Sequence, residues 1–333
     1  MSAHIEHAGS PGDTRSPAAR YALAVENSRR VRWDIDRDVI RGRSFDLTRT
    51  FLPAGLSLVN ELGFLTPADR RLFSQVQGRT YANFFGLADR FIGARMLEAT
   101  RGHWLADQTA LEALVRSSEE ELKHQALFHR IEQMLAEAMP AGYEFIAEPN
   151  EVAGAVLSRS AWAVLALTLD IELFTQVHYR ESIRPDAGLS ELWKDVFLFH
   201  WKEESQHAII DELEFLREDA AIDGEARDRA VGDFIELVAM IDGILRMQAS
   251  ADADWFMRIA ASRYTPVQQA AVQHQFLKAY RWQYIVSGSQ VPRFGKVLAG
   301  VLDATQRKRI VDALAPLAYA VPASSGEPVP LAA

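Results

Sequence analysis

The sequence predicts an all-α fold: an antiparallel four-helix bundle followed by additional C-terminal helices. Three observations predict it. Apolar residues recur at helical spacing through four segments of about 30 residues each, proline is absent from the interiors of those segments, and no stretch shows the sustained alternation of a β-strand. Each helix would be about 45 Å long at about 1.5 Å per residue. Short turns after the first and third helices make each antiparallel to its successor.

The two ends of the chain are expected to lie outside the helical core. Residues 1–20 are rich in glycine, serine, proline and alanine, which predicts a disordered arm, and residues 322–333 predict a disordered tail for the same reason. His4 and His7 belong to the arm and are expected to have no metal role. Residues 21–65 have an irregular pattern and are predicted to wrap around the bundle.

The bundle is assigned to residues 66–220, where helix signals bound each segment. Thr66 precedes Pro67 as an N-cap precedes a first-turn proline, and Asp107 and Ser190 are the expected caps of the second and fourth helices. The four predicted helices span residues 67–100, 107–137, 152–182 and 190–219.

Residues 224–320 contain further helical patterns after the bundle. These patterns span residues 225–250, 265–286 and 305–317. We expect the C-terminal helices to pack on the outside of the bundle or to pair two subunits.

Composition excludes several classes of protein. The chain has 333 residues, 48% of them hydrophobic and 24% charged, which is typical of a globular protein with a substantial core. A formal net charge of −9 argues against a nucleic-acid partner, which requires a basic surface. The absence of cysteine excludes disulfides and thiolate metal sites, so a metal would have to bind imidazole and carboxylate groups.

The sequence predicts no membrane segment. The N-terminus lacks the apolar core of a signal peptide, so a cytoplasmic location is expected. The most apolar run, residues 161–174, is interrupted by Asp170 and Glu172 and is shorter than the roughly 20 residues that span a bilayer. It predicts a helix buried in protein, with its acidic residues facing the interior.

Two Glu-x-x-His motifs provide candidate metal ligands. They are Glu121/His124 and Glu204/His207, and no other glutamate precedes a histidine by three residues. Residues three apart share one face of a helix, so each motif offers a carboxylate and an imidazole side by side. Two such helices, with one carboxylate from each of two further helices, form the ligand set of a di-iron or di-manganese bundle.

The other two carboxylates follow from the heights of residues along antiparallel helices. Glu172 and Glu204 are equally far from the turn between the third and fourth helices, so they are level. The same argument places Asp89 opposite Glu121. Glu98 is the rival, but it lies near the helix end and on the opposite side from Asp89, so Asp89 is favoured.

His200 precedes Glu204 by four residues and His207 by seven, which puts the three on one helix face. This spacing favours His200 as a further ligand over the alternative of a hydrogen-bonded core histidine. His178 and Tyr179 either line the site or pack in the core, with packing favoured.

Metal-bound histidines usually donate their second ring N–H to an acceptor. Glu120 and Glu203 each precede a motif glutamate, and they are candidates to hydrogen-bond the histidine of the opposite helix. The alternative is that both simply face water. Asp211, one turn beyond His207, is another candidate for such an outer role.

The predicted metal ligands are Asp89, Glu121, His124, Glu172, His200, Glu204 and His207. The four carboxylates carry a charge of −4, which two divalent ions would balance while the histidines bind as neutral imidazoles. Two iron ions, two manganese ions or one of each would suit these donors.

These residues resemble the ferritin-like di-iron carboxylate superfamily, and within it the p-aminobenzoate N-oxygenase family. The superfamily pattern is matched over residues 65–220 by the two Glu-x-x-His motifs together with Glu172 and Asp89. The narrower resemblance is His200, because members of the N-oxygenase family have an additional histidine ligand four residues before the last ligand glutamate. The chain departs from the pattern in having aspartate at position 89, and Lys123 and Gln206 where arginine is common.

The resemblance implies that a di-iron centre activates O₂ and transfers oxygen to a small organic substrate, in that family to an arylamine nitrogen. It also implies an external electron donor, a reductase or ferredoxin, and a homodimer. Other classes stay open: a non-catalytic iron-binding or storage bundle, a radical-generating subunit, or a structural helical protein without metal. Storage proteins are usually shorter chains, and a radical-generating subunit would need a tyrosine near the metals, for which Tyr179 is the candidate.

Overall fold

The fold is all-helical in a computed structural model that describes residues 15–323. No β-strand occurs among these residues, whose one strand-like pairing is an isolated bridge between Thr50 and Leu189. The all-α prediction is therefore confirmed. Most of the predicted arm and tail, residues 1–14 and 324–333, lies outside the described residues.

Twelve α-helices occur in the described part of the chain. They are α1 (Pro17–Arg30), α2 (Ala54–Ser57), α3 (Pro67–Ala99), α4 (Gln108–Ala138), α5 (Pro149–Leu157), α6 (Ala161–Val177), α7 (Glu191–Ala221), α8 (Gly224–Ile259), α9 (Pro266–Arg281), α10 (Ser287–Ser289), α11 (Pro292–Val301) and α12 (Ala304–Leu314). Short 3₁₀ turns span Val59–Glu61, Thr100–His103 and Ala315–Ala320, and π-helical turns span Ile35–Ile40, His178–Ile183 and Trp282–Val286. None of the described helices is long and apolar enough to cross a membrane.

Four long helices enclose the interior. Helix α3 packs along α4, and α6 packs along α7. Contacts between α4 and α7 and between α3 and α6 close the ring. Helix α1 lies across α4 and α7, α5 packs on α3, and α8 packs on α6 and α9. Helices α8, α10 and α11 thus pack on the outside of α6, and α8 also contacts α3.

The residues predicted to cap the first two central helices make the expected capping hydrogen bonds. The Thr66 hydroxyl accepts a hydrogen bond from the backbone N–H of Asp69, and Pro67 opens α3. The Asp107 carboxylate caps α4 by accepting from two backbone N–H groups of its first turn. Ser190 occupies the N-cap position of α7, but its side chain makes no capping bond; instead its backbone N–H donates to the Thr50 carbonyl at 2.9 Å.

The predicted third helix, residues 152–182, is interrupted. Helix α5 ends at Leu157 and α6 begins at Ala161. At the break, the Ser158 hydroxyl donates to a carbonyl of α5, and the backbone N–H of Ser160 donates to the Asp233 carboxylate of α8 at 3.0 Å. Serine and aspartate side chains here replace helical backbone bonds, so the chain turns before it resumes as α6.

Helix α1 begins inside the segment assigned to the disordered arm and continues into the segment expected to be irregular. Ser16 caps it by accepting from the Ala19 backbone N–H, and Pro17 occupies its first turn. Its buried residues include Tyr21 and Ala24, which pack against the central helices. Tertiary packing stabilises this 14-residue helix, which a sequence pattern alone does not favour strongly. Helix α11 lies between two of the segments in which the sequence predicts helices.

Candidate metal centre

The structure brings all seven sequence-predicted ligands together in the interior of the four central helices. Helix α3 contributes one, α6 one, α4 two and α7 three. None of the seven is more than 3% exposed. The set is Asp89, Glu121, His124, Glu172, His200, Glu204 and His207. Carboxylate and imidazole donors concentrated in this way could hold metal ions.

The two motif glutamates each lie between the two motif histidines. His124 Nδ1 is 3.6 Å from Glu121 Oε2 and 3.1 Å from Glu204 Oε1. His207 Nδ1 is 2.9 Å from Glu121 Oε1 and 3.6 Å from Glu204 Oε2. Each carboxylate therefore offers one oxygen beside each histidine nitrogen. Both carboxylates would therefore help to hold metal ions in the cluster, together with the two histidines.

The remaining donors divide between the two histidines. Asp89 and His200 group with His124, and Glu172 groups with His207; within each group the donor atoms lie within 4.8 Å of one another. His200 Nε2 is 2.9 Å from the Glu204 oxygen that also lies beside His124. One position would thus be surrounded by five donor residues and the other by four.

These close approaches are not hydrogen bonds. His124 Nδ1, His207 Nδ1 and His200 Nε2 have no hydrogen-bond partner among the described residues. The same holds for one oxygen each of Asp89, Glu121, Glu172 and Glu204. Short N···O separations without a hydrogen bond are expected where both atoms would bind the same cation. A pair of cations would satisfy buried atoms that otherwise lack partners, so these residues fit a pair of bound metal ions.

Two outer carboxylates fix the orientation of the motif histidines. His124 Nε2 donates to Glu203 at 3.0 Å, and His207 Nε2 donates to Glu120 at 2.9 Å. Because Nε2 carries the proton in both rings, each Nδ1 has a lone pair directed at the cluster. The prediction that Glu120 and Glu203 reach the histidine of the opposite helix is confirmed. Lys123 pairs with Glu203.

Asp211 does not share this role. The carboxyl is fully buried, but it makes no hydrogen bond to His207, whose Nε2 donates to Glu120. Burial raises the pKa of Asp211 well above its ordinary value. Asp211 therefore does not orient the His207 ring, and its more general outer role stays a prediction.

Burial and mutual charge dominate the protonation of the cluster. Burial raises the pKa of Asp89, and the charge of Glu121 raises it further. Burial and the charge of Glu204 likewise raise the pKa of Glu172. Burial lowers the pKa of His200, which favours its neutral, ligand form. Acids this close cannot all ionise without cations beside them.

The rival residues lie elsewhere. The Glu98 side chain is 56% exposed and pairs with Arg95 at 3.0 Å, so α3 offers Asp89 and not Glu98 to the cluster. His178 is held between the Tyr81 hydroxyl and the Ser287 hydroxyl at 2.9 Å each, which supports the packing interpretation. Tyr179 stacks on Trp201 with ring centroids 5.0 Å apart.

Sequence reasoning missed residues that support the cluster from outside the motifs. Ser28 of α1 donates to Glu120 at 2.7 Å. Trp33 lies parallel to the His124 ring, with centroids 6.2 Å apart, and Lys123 Nζ lies 4.2 Å from the Trp33 ring centroid. No local pattern identifies these partners, because each is a tertiary contact from the N-terminal segment.

Gly93 of α3 determines how closely α4 approaches. A Cβ at this position would lie 3.2 Å from the Glu121 Cβ, which is tighter than ordinary van der Waals contact. Gly86 faces Phe128 in the same way. These glycines therefore bring two helices together at the level of the cluster.

An apolar cavity of about 70 Å³ lies between α3, α5, α6 and α8. Its wall includes Ala88 and Ile171, the sequence neighbours of Asp89 and Glu172. Phe85, another wall residue, lies edge-on to the His200 ring with centroids 5.3 Å apart. Phe85 thus contacts both this cavity and one proposed ligand, His200.

Fold and site together define an all-helical protein with a buried carboxylate–histidine cluster that could hold metal ions. No protein-family model matches the chain, and a search of characterised proteins finds no similar sequence.

Proposed function

We propose that this chain is a ferritin-like di-iron oxygenase that activates O₂ and oxygenates a small organic substrate, with an arylamine nitrogen as the first candidate. The observation that carries the proposal is the position of Glu121 and Glu204, each with one oxygen beside each motif histidine. A single ion needs only one such set of donors. Two sets joined by shared carboxylates favour two ions.

The unequal donor sets favour a reactive centre over a purely structural one. His200 adds a third imidazole to the cluster, on the side of Asp89 and His124. The side of Glu172 and His207 has fewer donors, and an ion with fewer protein ligands keeps positions for exchangeable ligands. Iron bound here would supply the redox chemistry that amino-acid side chains lack.

The protein's own residues hold the donors and exclude water. Glu120 and Glu203 keep the two histidines in the ligand tautomer. Trp33 covers the His124 ring. The apolar cavity on the other side of Phe85 from His200 suits an organic substrate better than the passage of hydrated iron ions, which supports an oxygenase over a storage protein.

Electrons for O₂ activation are expected to come from another protein. The chain has no cysteine, so it has no thiolate ligands for an iron–sulfur cluster of its own. A reductase or ferredoxin is the proposed donor, and a homodimer is the proposed assembly.

Anaerobic loading with Fe(II), followed by iron analysis and exposure to ¹⁸O₂ with aniline or 4-aminobenzoate, tests the proposal. We expect about two iron ions per chain and ¹⁸O in the oxidised amine. His207→Ala should lose iron, whereas His129→Ala, which changes an exposed histidine on α4, should retain it.

Two results would count against the proposal. Fewer than about one iron ion per chain after loading would favour a protein without a metal centre. Full iron loading with oxidation of the iron, but no label in either amine, would favour the non-catalytic iron-binding alternative.

A further inference from the structure

A surface groove of about 480 Å³ lies at the end of the bundle where α3 and α7 begin. Its volume falls within the roughly 300–1,000 Å³ of typical small-molecule sites. Three of its eight wall residues are arginines: Arg49 comes from the segment before α2, and Arg70 and Arg71 lie near the start of α3. Both sides of the groove therefore contribute guanidinium groups.

The charge of the groove is opposite to that of the whole protein. The chain has a formal net charge of −9, yet the groove wall contains no aspartate or glutamate. Arg49 Nε lies 4.0 Å from Asp46 Oδ2, but both side chains are more than half exposed, so solvent screens this pair. Three like charges in one wall repel one another, and a bound anion would offset that repulsion.

The two arginines of α3 keep hydrogen-bond donors for a ligand. Arg71 makes no hydrogen bond or ion pair with any other residue that the structure describes. Arg70 donates Nε to the Leu65 carbonyl at 3.2 Å and Nη1 to Asn60 Oδ1 at 3.3 Å, so both of these partners are uncharged. A guanidinium group binds phosphate through its planar fork of N–H donors, and that fork is complete in Arg71.

Buried side chains of α3 hold the Arg49 segment in place on the other side of the groove. Gln75 Nε2 donates to the Leu47 carbonyl at 2.9 Å and to the Arg49 carbonyl at 2.7 Å. The Ser74 hydroxyl accepts from the Leu52 backbone N–H and donates to the Leu52 carbonyl, both at 2.8 Å. A wall that is fixed in advance loses less conformational entropy when a ligand binds.

We propose that this arginine groove, defined by Arg49, Arg70 and Arg71, binds the diphosphate group of a small molecule. A phosphate group carries about −1.5 to −2 charge at pH 7 and has three strong acceptor oxygens. Two linked phosphate groups match three guanidinium groups on two sides better than one phosphate does. The wall contains no aromatic side chain on which a ring could stack, so the diphosphate itself is the recognised part. None of the wall residues is a proposed metal ligand, so this binding is additional to the proposed function.

Calorimetric titration of the full chain with pyrophosphate, inorganic phosphate and ADP tests this inference. The buffer contains about 0.15 M NaCl, so that charges more than about 8 Å away are screened. We expect pyrophosphate to bind at least about tenfold more tightly than phosphate, because it adds charge-assisted hydrogen bonds. ADP should bind no more tightly than pyrophosphate, since its adenine finds no ring in the wall.

Variants assign the binding to the two sides of the groove. Arg71→Gln and Arg49→Gln should each weaken pyrophosphate binding by about tenfold or more. Arg71→Lys keeps the charge without the fork of donors, so it should weaken binding less than Arg71→Gln does. Arg229→Gln is the matched control, because Arg229 is an exposed arginine of α8 that pairs with Glu225, and its loss should leave the affinity unchanged. All of these positions lie outside the proposed metal centre, so a selective loss in the groove variants excludes binding of pyrophosphate to metal.

Thermal unfolding separates a ligand site from a structural role. Arg71→Gln removes a side chain without partners among the described residues, so it should not lower the unfolding temperature by more than about 2 °C. A larger loss of stability would indicate a structural role and overturn the inference. Equal affinity for phosphate and pyrophosphate, a preference for ADP, unchanged affinity in both groove variants to glutamine, or an equal loss in Arg229→Gln would also overturn it.

Discussion

Glu203→Gln isolates the contribution of one outer carboxylate to metal binding. Glu203 is fully buried, accepts the Nε2 proton of His124 at 3.0 Å and pairs with Lys123. Glutamine keeps the shape and one acceptor oxygen, but it removes the negative charge that makes His124 a stronger ligand.

The expected loss of metal affinity follows from these contacts. Replacement of an outer partner typically costs about 10–100-fold in metal affinity. Since the glutamine oxygen can still accept from His124, the lower part of that range applies, about tenfold, or about 1.4 kcal/mol. The Lys123 side chain is 24% exposed, so solvent compensates much of its lost ion pair.

Competition between the protein and a chelator for Fe(II) under anaerobic conditions measures this change. Glu132→Gln is the matched control, because Glu132 also lies on a central helix and pairs with Arg79, but it contacts no proposed ligand. Equal iron affinity in wild type and Glu203→Gln, or an equal loss in Glu132→Gln, would refute the reasoning.

Three further predictions concern backbone spacing, pH and metal removal. Gly93→Ala should lower iron affinity in a chelator competition, because the added Cβ would lie 3.2 Å from the Glu121 Cβ. Gly243→Ala is the control in α8, where an added Cβ would meet no atom within 4 Å. It should raise the free energy of unfolding in urea by about 0.5–1 kcal/mol. Burial raises the pKa of Asp252 to about 7, so the folded state binds a proton that the unfolded state releases near pH 4. The free energy of unfolding should therefore fall as pH rises from about 4 to about 7, by at most roughly 4 kcal/mol from this group, and urea unfolding across that range should show a smaller fall in Asp252→Asn. Removal of bound metal by a chelator should lower the unfolding temperature, since metal at about 100 times its Kd contributes roughly 2.7 kcal/mol; an unchanged temperature in calorimetry would indicate that no metal is bound.

Local geometry explains why the donors could be located from the sequence. A Glu-x-x-His spacing fixes the relative position of two side chains on any helix, and equal distances from a short turn place Glu172 level with Glu204. These arguments need only helix periodicity and antiparallel neighbours. They hold for Asp89 as well, because Glu98 is nine residues further along α3 and points to solvent.

Contacts between residues far apart in the sequence explain which structural features could not be predicted. The break before α6 depends on Asp233 of α8, 73 residues from Ser160. The bond from Ser28 to Glu120 spans 92 residues. Neither partner has a local signature, since serine and aspartate are common at helix ends and on helix surfaces alike.

The exchanged hydrogen bonds between α4 and α7 make the two helices interdependent. Each carries a carboxylate that fixes the other's histidine, Glu120 for His207 and Glu203 for His124. Without the other helix, each histidine would lose the acceptor that fixes its ring, and its affinity for a metal ion should fall. Separation of α4 from α7 would weaken metal binding at both positions at once. The metal content of the protein should therefore show whether the interface between these two helices is intact.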